Sequence, residues 1–102
     1  MKRVYIAGKL NADAVGYLQN VSLMIKEAIK LHKKGYAVLI PCLDLIAGIV
    51  AGNWDYKDYA ETNMAWLEVA DEVHVLPNWE TSEGTKKEII RARELKIPIK
   101  FL

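Results

Sequence analysis

Short apolar segments alternate with helical segments along the whole chain, and this alternation constrains the fold more than any other feature. Runs typical of strands occur at 3–7, 36–40, 72–76 and 97–102. Their residues are apolar almost without interruption, which is typical of parallel strands that are covered on both faces by helices. The chain is therefore expected to form one α/β domain over residues 1–102.

Right-handed crossovers and packing on both faces of the sheet favour one topology. We predict a small flavodoxin- or Rossmann-like three-layer sandwich with a four-stranded parallel sheet in the order 2-1-3-4. Pro98 cannot donate a hydrogen bond to a neighbouring strand, so the last strand is expected at an edge.

The helical segments are predicted from apolar spacing and end signals. In the first, from 14 to 34, apolar residues recur every three or four positions opposite lysines. The segment 43–51 is apolar nearly all round, which fits either a short buried helix or an exposed patch kept for a partner. A third helix spans 56–69, and a fourth begins at a Thr81 or Ser82 cap and ends near 95. The residues expected on apolar faces are Val15, Leu18, Ile25 and Ile29 of the first helix, and Tyr59, Met64, Trp66, Leu67 and Ala70 around the third.

Composition excludes several classes of function. The formal net charge is +1, and a domain that binds a nucleic-acid polymer usually carries a strong basic excess. His32 and His74 are isolated from other ligand types, so no metal site is expected. Cys42 is the single cysteine, which excludes an internal disulfide and fits a reducing compartment.

The N-terminus reads as a strand rather than a signal peptide, and no apolar run is long enough to span a membrane. We expect a cytoplasmic protein.

In a sheet of this order, ligands bind beyond the carboxyl ends of the strands, between the first and third. The loop after the first strand, from Gly8 and Lys9 to Asn11, is expected to meet the loop from Pro77 to Ser82 there. Ser82 and Gly84 stand at the start of a helix, where free backbone amides can bind an anion. The same residues also fit an ordinary capped helix without a ligand.

Glu88 follows Gly84 by one helical turn, on the same face as Thr85. It could act as a base, a nucleophile or a ligand for sugar hydroxyls, or it could simply pair with Arg91 on the surface. Tyr5 lies in the first strand near the same crevice, where a core role is also possible. Trp79 could stack on a base or only pack.

Several of these residues resemble the nucleoside 2-deoxyribosyltransferase-like superfamily. The resemblance rests on Tyr5-Ile6-Ala7-Gly8, on Ala70-Asp71, on Leu76-Pro77-Asn78-Trp79-Glu80 and on Ser82-x-Gly84-x-x-x-Glu88, in that order along nearly the whole chain. It is similar in particular to a branch of small uncharacterised proteins related to the 2'-deoxynucleoside 5'-monophosphate N-glycosidases.

The resemblance implies a role for each matched position. Glu88 matches a nucleophile that attacks the anomeric carbon, so that a covalent sugar–enzyme intermediate passes to water or to another base. Ser82 and Gly84 match residues that hold a 5'-phosphate, with Thr85 beside them. Tyr5 matches a residue near the nucleophile, and Gly8, Lys9 and Trp79 belong to loops that close on the nucleoside. No cofactor is implied, and the relatives form homodimers or larger homo-oligomers.

One departure from the pattern bears on activity. An aspartate that positions or protonates the leaving base in the family is Asn63 here, and an amide cannot supply a proton. Asp58 and Glu61 are near in sequence and could replace it. The resemblance thus leaves two functions open. One is an N-glycosidase or deoxyribosyltransferase acting on a small nucleotide or nucleoside; the other is a nucleotide-binding or nucleotide-sequestering protein without catalysis. A pure interaction protein ranks below both.

Overall fold

A computed structural model describes all residues from Met1 to Leu102. It contains four strands and four α-helices. One helix follows the first strand and one follows the third, whereas two helices lie between the second and third strands. Two short 3-10 helices, Pro41–Asp44 and Pro77–Thr81, follow the second and third strands. The strands are β1 (Arg3–Ala7), β2 (Ala37–Leu39), β3 (Glu72–Val75) and β4 (Ile99–Phe101), and the helices are α1 (Ala14–Lys33), α2 (Leu45–Ala51), α3 (Tyr56–Leu67) and α4 (Glu83–Glu94).

The predicted sheet is confirmed. All four strands are parallel in the order β2-β1-β3-β4, and β4 lies at an edge. Tyr5 of β1 is opposite Leu39 of β2 and Val73 of β3. The carboxyl ends of the two central strands therefore meet at Ala7 and Val75, where the ligand crevice of such a sheet is expected.

Each face of the sheet packs against helices through its own cluster of buried residues. One cluster joins β1 to α1, through Val4, Ile6, Met24 and Leu31 among others. The second joins β1 and β3 to α3 and α4, and includes Tyr5, Leu67, Val73, Val75, Ile89 and Ala92. The layers are therefore helix, sheet and helix, as the apolar strands require.

The prediction of which face of α1 is buried was wrong. Val15 and Leu18 are each 67% exposed, and Ile29 is 50% exposed. The residues that pack on the sheet are Met24 and Leu31, together with the partly buried Val21 and Ala28. These form a second stripe with the same helical spacing, so α1 carries apolar residues on both its core side and its solvent side.

Two other predictions about packing are settled by the structure. Trp66 was expected in the core but is 55% exposed at the end of α3, because Leu67 is the residue that enters the second cluster, between the sheet and the helices α3 and α4. The 43–51 segment is an exposed patch rather than a buried helix: in α2 only Gly48 is buried. No helix is both long and apolar enough to cross a bilayer.

Candidate functional site

A crevice lies beyond the carboxyl ends of β1 and β3, where the first turns of α4 face α3. Its inner part is a cavity of about 120 Å³. Six of the residues predicted for the site line the cavity: Gly8, Asn63, Ser82, Gly84, Thr85 and Glu88. Tyr5 does not line it but is held directly behind Glu88.

The central feature of the crevice is a hydrogen bond between β1 and α4. The Tyr5 hydroxyl donates to Oε2 of Glu88, and Tyr5 itself is 1% exposed. Burial raises the pKa of Glu88 from 4.5 to about 7, against the opposing effect of the Tyr5 hydrogen bond. Burial first, and then the charge of Glu88, raise the pKa of Tyr5 well above 10, so the phenol stays protonated and remains the donor. Oε1 of Glu88 is left for a ligand.

The alternative of a surface ion pair for Glu88 does not match the structure. Arg91, the expected partner, places Nη2 3.3 Å from Oε2 of Glu68 on α3. Glu88 has no ion pair with any lysine or arginine. A half-buried, unpaired carboxylate with a raised pKa beside a cavity is typical of a functional site rather than of a solvated helix face.

Ser82 caps α4 and still has a hydrogen to donate. Its Oγ accepts from the backbone N–H of Thr85 at 3.2 Å and from the Thr85 hydroxyl at 2.8 Å. Because both bonds use its lone pairs, the Ser82 O–H is directed elsewhere. The backbone amides of Glu83 and Gly84 belong to the first turn of α4, and the carbonyls four residues before them lie outside the helix. These two amides therefore also lack helical partners. This arrangement suits an anion.

Gly84 keeps the cavity open. A Cβ at this position would lie 3.0 Å from the hydroxyl oxygen of Tyr56, which lines the cavity from α3. Gly8 is constrained by packing as well, since a Cβ there would lie 2.6 Å from Cδ1 of Leu76. The two glycines bring the backbones of β1 and α4 close to the ligand side of the crevice.

A second cavity of about 300 Å³ opens beside the first and shares Leu10, Pro41, Tyr56 and Asn63 with it. The two cavities are therefore neighbouring parts of one crevice. The volume of the larger part is at the lower end of the range for small-molecule sites, roughly 300 Å³. Four aromatic side chains line the larger cavity: Tyr17, Trp54, Tyr56 and Tyr59.

Lys9 and Trp79 lie outside both cavities. Lys9 Nζ donates to the Thr81 hydroxyl at 3.2 Å, and the Lys9 backbone N–H donates to Asn78 Oδ1 at 3.0 Å, so Lys9 joins the two loops at the rim. Trp79 packs on the second cluster, the one that contains Leu67. It also packs against Phe101, and the centroids of the Trp79 and Phe101 rings are 5.4 Å apart. The structure thus gives Trp79 contacts of a packing role.

Neither acidic neighbour of Asn63 faces the crevice. Asp58 completes the capping box of α3 with Asp55. Glu61 is exposed and lies 3.6 Å from Lys57. Asn63 itself lines both cavities, and its Oδ1 is buried without a hydrogen-bond partner.

Two polar side chains of the inner cavity were not predicted from the sequence. Lys87 lines the inner cavity, and its Nζ lies 5.9 Å from the centroid of the Tyr56 ring. Lys87 could have been found, because Gly84, Lys87 and Glu88 share one helix face at spacings of three and four. Tyr56 belongs to a different helix and has no comparable signal in its local sequence.

Comparison with known proteins identifies a family and a structure of similar fold. The family model described as a domain of unknown function, DUF4406, matches residues 2–101. The structure is similar to that of 2-deoxyribosyltransferase from the psychrotolerant bacterium Bacillus psychrosaccharolyticus, with a TM-score of 0.76 and 15% identity over 97% of this chain and 70% of that chain. A search of curated proteins finds no match. The expected deoxyribosyltransferase-like fold is thereby confirmed.

Proposed function

This chain belongs to the DUF4406 family, and we propose that it is an N-glycosidase or deoxyribosyltransferase that cleaves the glycosidic bond of a small nucleotide or nucleoside through Glu88. One observation carries the proposal above all: the hydrogen-bonded Tyr5–Glu88 pair lies beside the capped start of α4 in a single crevice. The shared fold supports the same conclusion.

Glu88 acts as the nucleophile. The Tyr5 hydroxyl occupies Oε2 and orients the carboxylate, so Oε1 attacks the anomeric carbon of the sugar. The bond from that carbon to the base nitrogen breaks, and the base leaves with the bonding electron pair and takes up a proton. Water, or the nitrogen of a second base, then displaces Glu88 from the sugar and releases the carboxylate.

The 5'-phosphate of a monophosphate binds at the start of α4. The Ser82 hydroxyl and the Gly84 amide donate to it, and Lys87 supplies a positive charge on the same face of the helix. Glu88 lies one turn further along the helix, on the side where the anomeric carbon C1' of a sugar would lie when its 5'-phosphate binds at the helix start.

The base binds in the larger, aromatic-lined cavity. Tyr17, Tyr56 and Tyr59 provide flat apolar faces for stacking. Asn63 lies at the boundary between the two cavities, so its amide can hydrogen-bond to an edge of the base. The pairing of a polar inner cavity with an aromatic outer one fits a nucleotide better than it fits a free sugar phosphate.

A second candidate function is nucleotide binding without cleavage. It is favoured by Asn63, because this amide cannot give the leaving base a proton and neither Asp58 nor Glu61 reaches the crevice to do so. Bases that leave readily as anions, or that are protonated by water, need no such donor, so the enzyme remains the first candidate.

The deciding experiment is incubation with a panel of nucleoside and 2'-deoxynucleoside monophosphates, with release of free base followed by chromatography. We expect wild type to release base from at least one compound, and Glu88→Ala to reduce the rate by about three orders of magnitude or more. Glu94→Ala is the matched control, because Glu94 is an exposed glutamate in the last turn of the same helix.

The outcomes separate the two candidates. Base release that Glu88→Ala leaves unchanged contradicts the nucleophile. No release from any compound, together with a nucleotide that raises the melting temperature, supports binding without cleavage. In that case an Asn63→Asp variant that gains hydrolysis would identify the missing acid as the cause.

We also infer that the protein forms homodimers or larger homo-oligomers through its exposed apolar helices, and that it works in the cytoplasm. Ile46, Ile49 and Val50 of α2 are 71%, 67% and 81% exposed. Exposed apolar residues clustered in this way usually mark an interface. The single cysteine, Cys42, is buried and free, as is usual for a protein of a reducing compartment.

A further inference from the structure

The loop between β1 and α1, residues 8–12, forms part of the wall of both cavities. Gly8 and Leu10 line the inner cavity, and Leu10 and Asn11 line the larger one. No residue of this loop makes a hydrogen bond from backbone to backbone. The side chain of Leu10 packs on the cluster that joins β1 to α1, but the polar backbone of the loop needs other partners.

Two asparagines from different elements provide these partners. Oδ1 of Asn78, in the 3-10 helix after β3, accepts from the backbone N–H of Lys9 at 3.0 Å, and Nδ2 of Asn78 donates to the carbonyl oxygen of Lys9 at 3.4 Å. The same Nδ2 donates to Oδ1 of Asn20, on α1, at 3.4 Å. Nδ2 of Asn20 donates in turn to the carbonyl oxygen of Leu10 at 3.3 Å. The two side chains thus join the loop to α1 and to the 3-10 helix.

The loop backbone fixes the direction of these hydrogen bonds. A backbone N–H can only donate, so the Lys9 amide requires the oxygen of Asn78 to face it, and Nδ2 of Asn78 must then face the Lys9 carbonyl. The second hydrogen of this Nδ2 is directed at the oxygen of Asn20, which leaves the nitrogen of Asn20 for the Leu10 carbonyl. A carboxylate at either position would bring two acceptors together, so the arrangement requires an amide at both.

We propose that Asn78 and Asn20 are positioning residues that hold the loop 8–12 in the shape that binds a nucleotide. Neither asparagine lines either cavity, so affinity would depend on two side chains that the ligand does not touch. Ordering a loose loop at the moment of binding opposes association, and a loop that is already held avoids this penalty. The inference rests on the proposed function, since it assumes that a nucleotide occupies the crevice.

The two asparagines should affect binding and leave the chemical step unchanged. Tyr5 and Glu88 lie on β1 and α4, and the hydrogen bond between them involves no residue of the loop. Once a saturating ligand has ordered the loop, the carboxylate of Glu88 has the same surroundings with or without the asparagines. Loss of either asparagine should therefore raise KM and leave kcat within about twofold of wild type, whereas a general structural defect would lower kcat as well.

The first test uses Asn20→Ala, which should stay folded because alanine favours a helix and Asn20 lies within α1. Dissociation constants are measured for the common nucleoside and 2'-deoxynucleoside monophosphates and for their nucleosides, in a Glu88→Ala background that removes turnover. Asn20→Ala should weaken nucleoside and monophosphate alike, by about three- to tenfold, the equivalent of one hydrogen bond. Gln19→Ala is the matched control, because Gln19 is the exposed neighbour of Asn20 on the same helix, and its variant should bind like wild type.

The second test uses Asn78→Asp, which keeps the size of the side chain and removes both hydrogen bonds that its nitrogen donates. The nucleoside carries no phosphate, so its affinity separates this loss from repulsion between phosphate and the new carboxylate. Asn53→Asp, an exposed asparagine with the same change of charge, is the control. Because the two asparagines hold one loop, the double variant Asn20→Ala with Asn78→Asp should bind the nucleoside about as weakly as the weaker single variant. Losses that add in full would overturn the shared hold on the loop.

The third test needs no ligand. Hydrogen exchange of the Lys9 backbone amide should be about three- to tenfold faster in Asn20→Ala than in wild type, and unchanged in Gln19→Ala. Unchanged exchange together with unchanged affinity in Asn20→Ala overturns the hold on the loop. Faster exchange with unchanged affinity overturns the positioning role and leaves the proposed function standing. A wild type that binds none of the nucleotides or nucleosides overturns the proposed function, and with it the role of the two asparagines in binding.

Discussion

At the scale of single residues, the proposed chemistry of the crevice depends on the half-buried carboxylate of Glu88, whose charged form is disfavoured by its surroundings. Burial favours the neutral form of Glu88, and the Tyr5 hydroxyl partly offsets it by donating to the ionised form. A nucleophile must be ionised to attack. Because the pKa of Glu88 is about 7, activity should depend on pH near neutrality. The Tyr5 hydrogen bond lowers this pKa and so extends activity to lower pH.

The first prediction is a pH profile. If Glu88 attacks as a carboxylate, kcat/KM should rise with pH through about 7 and level off above it. Tyr5→Phe removes the donor that favours the ionised form, so the rise should move to higher pH. At pH 6 the variant should lose activity by about tenfold or more, the equivalent of one hydrogen bond to a charged group.

Tyr36→Phe is the control for this prediction, because Tyr36 packs beside His74 on the other side of the sheet. Its profile should match wild type. A profile of Tyr5→Phe that is lowered equally at every pH would show that Tyr5 only supports the structure.

The second prediction concerns stability. A carboxyl with a raised pKa in the folded state binds protons that the unfolded state has lost, so stability falls as pH rises from about 4.5 through about 7. Glu88→Gln removes this dependence and keeps an acceptor for Tyr5. At pH 8 the variant should be more stable than wild type by up to about 3 kcal/mol, and at pH 4 the difference should vanish.

Urea unfolding at the two pH values measures this difference, with Glu94→Gln as the exposed control. A wild-type stability that is unchanged or increasing between pH 4.5 and 7, relative to Glu88→Gln, contradicts a carboxyl held neutral by burial.

At the scale of elements, the start of α4 combines a structural and a functional role in one side chain. Ser82 caps the helix through the Thr85 amide and, with its remaining hydrogen, donates to a phosphate in the proposed function. The two roles can be separated because α1 has a cap of the same kind. Asp13 accepts from the Gly16 amide at 2.7 Å, and it does not line either cavity.

The third prediction uses this pair of caps. Ser82→Ala and Asp13→Ala should each lower stability by about 1 kcal/mol. Only Ser82→Ala should also weaken the binding of a nucleoside monophosphate, by about tenfold, while leaving the corresponding nucleoside unaffected. Calorimetric titration of the two ligands against both variants measures this. Equal losses for nucleoside and monophosphate would show that Ser82 does not bind the phosphate.

The sequence predicts elements better than it predicts their faces. The strand order follows from alternation and handedness, which are properties of the whole chain. The buried face of α1 could not be predicted, because two apolar stripes with the same spacing run along it. The stripe with Met24 and Leu31 is the one that the sheet covers, and only tertiary contacts distinguish it from the stripe with Leu18 and Ile29.

The same distinction explains which parts of the site were found. Ser82, Gly84 and Glu88 lie on one helix, so their spacing alone brings them together. Tyr5 joins them because the first strand is central and ends at the crevice. Tyr56 belongs to another helix, and its approach to Gly84 depends on how α3 packs against α4, which local spacing does not encode.

At the scale of the whole molecule, several large apolar side chains are exposed on α1 and α2. The solvent-side stripe of α1 and the outer face of α2 both belong to helices that line the larger cavity, through Tyr17 and Leu45. A second copy covering them would therefore also enclose the base. A further depression of about 520 Å³ beside the edge strand β2 is almost entirely apolar, and Glu88 is not among the residues that line it.

The last prediction tests this surface. Ile46→Glu places a charge on the exposed face of α2 without touching the core, since Ile46 is 71% exposed. If α2 lies in an interface between copies, the variant should shift the sedimentation coefficient toward that of a monomer of 11.6 kDa. Ile90→Glu is the matched control: Ile90 is 57% exposed on α4, outside this surface, and its variant should sediment like wild type.

A wild type that sediments as a monomer at tens of micromolar contradicts the interface. In an assembly, Ile46→Glu should also weaken nucleotide binding, because the larger cavity loses the neighbour that closes it, whereas in a monomer it should leave binding unchanged.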